Sequence, residues 1–207
     1  MIQSPVLPDS FADDATFAIL SAGQGPGPAF ADRAATLGAN VVAMDGNPAA
    51  LAKVVGLSPA KIEGLAVLGN PVARLEPLRK AWGASPLHLL LNLTPFEANG
   101  TADNGIDAQI RGLSASMRAF GHGLAAGQGA MVTVVPRPTE PLALNARGLI
   151  AAIEAANKAL AEVFAARGIR FYTLTVPEGQ PDTAADTALF LGTKAGRRLR
   201  SGRIDLD

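Results

Sequence analysis

Short apolar runs alternate along the chain with longer stretches in which apolar residues recur every three or four positions. "TFAIL" (Thr16–Leu20) and "NVVAMD" (Asn40–Asp45) read as buried strands, with the helical stretch "PAFADRAATLG" between them. "NPAALAKVVG" reads as a short helix capped by Asn47, with Pro48 at its start. A third strand is expected over "GLAVLG" (Gly64–Gly69), followed by a helix that Pro77 interrupts. "LHLLLNL" (Leu87–Leu93) is apolar nearly throughout, as a strand covered on both faces should be. From Gly105 to Leu124 the residues Ile106, Ile110, Leu113, Met117, Phe120 and Leu124 fall on one helical stripe. "AMVTVV" (Ala130–Val135) is the fifth expected strand. A helix from about Leu144 to Arg167 follows, with Leu149, Ile153, Leu160 and Phe164 on its core face. "IRFYTLTV" (Ile169–Val176), the helix "TAADTALFLG" and a last strand in "GRIDLD" complete the series. Regular alternation of strand and helix predicts an α/β fold, a doubly wound parallel sheet of Rossmann type.

Composition narrows this picture. The 207 residues fit one domain, residues 1–207, with room for a sizeable core. Eighteen basic and eighteen acidic side chains cancel, so bulk charge favours neither nucleic acid nor a membrane surface as partner. There is no cysteine, which removes disulfides, thiolate metal sites and cysteine nucleophiles. The start, "MIQSPVLPDSFADD", lacks the basic and apolar segments of a signal peptide, and the expected location is cytoplasmic.

Candidate chemistry begins in "ILSAGQGPGPAFADRA". Gly23, Gly25 and Gly27 fall between the first strand and its helix, where backbone N–H groups and a helix N-terminus can hold a pyrophosphate. Pro26 and Pro28 have no N–H to give. The loop serves either as such a site or only as a tight turn that lets helix and strand pack closely. Asp45 ends the second strand about twenty residues on, placed to accept bonds from two ribose hydroxyls and to repel a 2′-phosphate. It is equally readable as an acid capping a turn.

These pieces resemble the short-chain dehydrogenase/reductase family over nearly the whole chain. The family's TGxxxGxG loop here reads "SAGQGPG", with Leu20 and Ser21 in place of the Thr-Gly pair and Gly25 and Gly27 matching the last two glycines. "LHLLLNLTP" resembles the strand that ends in NNAG, with Asn92 retained, and "ALAEVFAARGIRFYTLTVPEG" resembles the end of the catalytic helix and the strand after it. The resemblance implies a nicotinamide dinucleotide site at Ser21, Gly23, Gly25, Gly27, Asp45 and Asn92, with NAD favoured over NADP. It also implies homo-oligomers paired through the fourth and fifth helices. Gly148, Ala152, Ala155 and Ala159 on the fifth would let a partner helix approach.

The departures bear on activity. Counted back from "ARGIR", the family's YxxxK pair falls on Ala146 and Ile150, and the serine position falls near Val135 and Pro136. The one tyrosine, Tyr172, lies on the next strand and is expected to pack in or beside the core. Leu68 stands where many relatives carry an acid, and Gln109 where the family has an asparagine. Reduction of a carbonyl needs a proton donor and a neighbouring cation to tune it. With neither, the chain is read as a catalytically inactive relative with no catalytic and no metal-ligating residues, at most weak NAD binding, and a role through oligomers or a protein partner. The alternative is an NAD-dependent oxidoreductase using Glu97, Asp103 or His122. Replacing Pro26 by isoleucine is expected to tighten NAD. The basic run from Lys194 to Arg203 reads as a solvated helix end or as a surface for an anion or acidic partner.

Overall fold

The computed structural model describes residues 11, 14–68, 72–97, 105–140, 143–177 and 179–207. Seven strands, all parallel, form one sheet: β1 (Thr16–Leu20), β2 (Asn40–Asp45), β3 (Ile62–Ala66), β4 (Leu89–Asn92), β5 (Ala130–Pro136), β6 (Arg170–Val176) and β7 (Gly202–Asp205). Their order across the sheet is β3-β2-β1-β4-β5-β6-β7. Helices α1 (Gly27–Thr36), α2 (Pro48–Leu57), α3 (Glu76–Trp82), α4 (Thr94–Glu97), α5 (Ile106–Ala126), α6 (Leu144–Phe164) and α7 (Pro181–Gly192) fill the connections.

Strand periodicity builds two cores. Phe17 and Ile19 of β1, Leu89 and Leu91 of β4 and Val132 and Val134 of β5 pack with α1 and α7. Their neighbours Ala18, Leu20, Leu90, Met131 and Val135 point the other way, into a core with Leu113, Phe120 and Leu124 of α5 and Ile153 of α6. A strand buried on both faces must be apolar at every position, which is why these segments show no alternation.

Several boundaries depart from expectation. β3 begins at Ile62 and ends at Ala66, because Ile62 pairs in register with Val41 while Leu68 is turned out to solvent. Pro77 does not interrupt a helix. It sits in the first turn of α3, after a separate 3-10 turn at Ala73–Leu75. A proline there costs nothing, since N–H groups at that position have no partner within the helix. Asn47 does cap α2, its side chain accepting from the N–H groups of Ala49 and Ala50. On α6 the buried set is Ile150, Ile153 and Asn157. Ala155 and Ala159 face outward, Gly148 and Ala152 are half-buried, and an added Cβ on Gly148 would lie 3.7 Å from Ile106 of α5. Among the described residues no helix is long and apolar enough to cross a membrane.

Candidate dinucleotide crevice

Strand order reverses between β1 and β4. In an open α/β sheet that reversal opens a crevice at the carboxyl ends of the strands, where ligands bind. The loop after β1 carries Ser21, Gly23, Gly25 and Gly27. Asp45 ends β2 and Asn92 ends β4, so the fold brings all six expected site residues to one rim.

The bonds these residues make are internal. Asp45 is 3% exposed. Its Oδ2 accepts the Gly23 N–H at 2.8 Å and its Oδ1 the Asn47 N–H at 2.7 Å. Ser21 is 2% exposed and holds a left-handed backbone, φ +61°, that L-residues adopt at a cost. Its hydroxyl donates to Glu97 Oε1 at 2.5 Å. Glu97 also faces Arg74, with Nη1 and Nη2 each 3.4 Å from a carboxylate oxygen. The Arg74 side chain is 7% exposed, and its buried Nε has no partner among the described residues. Asn92 Oδ1 accepts the Thr94 N–H, and the Thr94 hydroxyl lies 2.9 Å from it and 2.8 Å from Gln109 Oε1. One proton serves those two acceptors in turn. The Gln109 amide donates to the Thr94 carbonyl, so α5 is tied to the end of β4.

The glycine loop spends most of its donors on itself. Ala22 donates to Met44, Gln24 to Ser21 and Gly27 to Gln24. Pro26 precedes α1 and Pro28 lies in its first turn. Among the described residues the loop N–H groups of Ser21, Gly25 and Ala29 have no acceptor. Gly25, at φ +47°, is itself covered. A Cβ built on it would fall 2.7 to 2.9 Å from three ring carbons of Phe96. Gly27 is a close-packing glycine, since a Cβ there would lie 2.2 Å from the Ala22 carbonyl oxygen. As arranged, the loop does not fit a pyrophosphate: the Phe96 ring lies against Gly25, and the Gly23 N–H is on Asp45.

Beyond Phe96 the crevice widens into a cleft of ≈ 550 Å³ lined by Pro26, Pro136, Arg137, Ala146, Pro177 and Gln180. Ala146 and Pro136 thus share its wall, and Ile150, one turn along α6, is buried. Tyr172 is buried on β6, its hydroxyl donating to the Leu199 carbonyl at 2.8 Å. Burial pushes its pKa up, against the opposing pull of Arg170. His122 is exposed on α5, next to Gly123, whose carbonyl accepts the Leu87 N–H at the opposite rim. Asp103 lies outside the described residues. His88 lies at that opposite rim too, its Nδ1 accepting the Thr16 N–H at 3.1 Å. In the basic run, Arg197 is held by Gln128 and Gly127, and Arg203 pairs with Glu154 and Asp205.

Arg74 and Phe96 were not singled out by sequence reasoning. Their neighbours sit far away in the chain, and the available signal was an aromatic–acid pair, "TPFE", placed directly after β4.

A single parallel sheet with its crevice at the β1/β4 reversal defines a Rossmann-type protein. Its fold is that of the short-chain dehydrogenases. A citronellol catabolism dehydrogenase from Pseudomonas aeruginosa superposes with a TM-score of 0.77 at 18% identity, over 98% of this chain and 97% of that one. An oxidoreductase of the short-chain dehydrogenase/reductase family from Burkholderia thailandensis gives 0.74 at 21% identity, over 94% and 91%. A metagenomic short-chain oxidoreductase in complex with NADP gives 0.70 at 18% identity, over 93% and 96%. No family model and no curated protein sequence matches the chain.

Proposed function

We propose that this chain is a short-chain dehydrogenase-like protein that carries out no hydride transfer, holds NAD weakly at most, and works through self-assembly or contact with a protein partner. The observation that carries the reading is the wall of the cleft. Where the resemblance expects a serine and a tyrosine, Pro136 and Ala146 line it, and neither can give a proton. The one tyrosine is committed to the Leu199 carbonyl. One similar structure is described as a complex with NADP, which supports a nucleotide as the ancestral occupant of this crevice. In this chain Asp45 keeps a negative charge at the ribose end and favours NAD over the 2′-phosphate of NADP.

Titration of NAD and NADP into the purified protein by calorimetry, beside a steady-state assay with carbonyl and alcohol substrates, tests the reading. Weak NAD binding, weaker NADP binding and no turnover are expected. Micromolar or tighter NADP binding overturns the Asp45 argument. Turnover that survives Tyr172→Phe overturns inactivity and favours an oxidoreductase using another acid, of which Glu97 is the described candidate nearest the crevice. Assembly is proposed through α5 and α6, where Ala155 and Ala159 face outward between the exposed Leu144 and Val163. Light scattering that finds a monomer at micromolar concentration removes it.

A further inference from the structure

We propose that Phe96 and Glu97, presented by the single turn of α4, are the residues that close the glycine loop to a dinucleotide, with Arg74 anchoring Glu97 in the closing position. The loop's middle glycine ordinarily lacks a side chain so that a pyrophosphate can approach the backbone. Here that space is taken, because an added Cβ on Gly25 would strike the Phe96 ring at 2.7 Å. One residue on, Glu97 accepts the Ser21 hydroxyl across the same crevice. Both contacts run from the loop after β1 to the turn after β4, so they bridge the reversal point where a ligand would lie.

The turn is not free to swing. Thr94, its first residue, is held by Asn92 and Gln109. Glu97 at its end faces the buried Arg74 guanidinium through both carboxylate oxygens. A dinucleotide must therefore displace the ring and break the Ser21–Glu97 bond that Arg74 holds in place, and both cost affinity. A compact ligand in the ≈ 550 Å³ cleft beyond Phe96 displaces neither. The loss of donors at Pro26 and Pro28 then ranks second, since a donor restored at Pro26 still adjoins the Gly25 backbone that the Phe96 ring covers. This inference rests on the proposal that the crevice retains residual affinity for NAD.

The test is calorimetric titration of NAD into the full-length wild type, Phe96→Ala/Glu97→Gln and Pro26→Ile, with far-UV circular dichroism to establish folding. Should the double variant fail to fold, Phe96→Val/Glu97→Gln keeps an apolar filler and is read the same way. The folded double variant is expected to bind NAD at least about tenfold more tightly than wild type, the factor carried by one charge-assisted hydrogen bond. Pro26→Ile alone is expected to stay within about threefold of wild type, well under that factor. A folded double variant no tighter than wild type overturns the inference. So does a Pro26→Ile protein that gains the tenfold with Phe96 in place. If wild type binds and the double variant merely equals it, residual affinity stands and the closing role falls. If no folded variant binds NAD at all, both fall together.

Discussion

The two rims of the sheet use buried and half-buried polar side chains in the same way and to different effect. At the amino rim His88 accepts the Thr16 N–H, Arg197 donates to Gly127 and Gln128, and the Tyr172 hydroxyl donates to Leu199. At the carboxyl rim Asp45 accepts Gly23 and Asn47, Ser21 donates to Glu97, and Asn92 holds Thr94. All but the exposed Arg197–Gln128 bond satisfy a group that would otherwise cost free energy when buried. The groups tied at the carboxyl rim are those a dinucleotide would need. On the proposed reading, the same bonds that stabilise the fold there compete with a dinucleotide. On that reading, the chain keeps its rim by turning the binding groups on one another.

Substitutions at the two rims separate these roles. Asp45→Asn keeps the shape but turns an N–H₂ group toward one of two backbone donors, leaving a buried N–H unpaired. A loss of about 2 kcal/mol in urea unfolding is expected, within the range for hydrogen bonds to charged groups. The same variant should narrow the preference for NAD over NADP. Tyr172→Phe at the amino rim removes one neutral hydrogen bond and is expected to cost about 1 kcal/mol, with ligand affinity unchanged. An Asp45→Asn protein as stable as wild type would mean the carboxylate is not a structural tie. A change in NAD affinity in Tyr172→Phe would mean the rims are coupled.

Much of this contrast is legible in the sequence. β1 and β2 coincide with their expected bounds, because apolar runs ended by a glycine loop and by Asp45 leave little choice of register. All six candidate residues reach one rim because loop glycines and strand-end polar residues are set by chain order. What chain order does not contain is the partner of each. That Asp45 turns to Gly23 rather than outward depends on how the end of β2 meets the loop after β1, and that Phe96 covers Gly25 depends on how the turn after β4, over seventy residues away, packs against the same loop. β3 was displaced for a related reason. At the sheet edge, with Glu63, Gly64 and Leu65 exposed, apolar pattern decides less than pairing with β2.

The smallest expected effect tests the amino rim alone. Burial, and then the nearby Arg197 charge, lowers the His88 pKa below its ordinary 6.5. That N–H is donated to Nδ1, so the bond itself requires a ring nitrogen without a proton. The folded state then binds fewer protons than the unfolded state as pH falls from 6.5 toward the lowered value. Stability is fully present above pH 6.5 and declines with acid through that window, because the unfolded chain takes up the proton first. Asp14, Gln128 and Arg197 line the same hollow, and Arg197 adds a charge that opposes a second cation. Replacing His88 by glutamine keeps an acceptor within reach of Thr16 and removes the titration. The wild type should therefore lose more stability than His88→Gln between pH 7.5 and about 5.5, an interval chosen to bracket the free histidine value. Parallel pH–stability curves for the two proteins would show that the His88 bond does not depend on its protonation, and that the amino rim is held by its arginines.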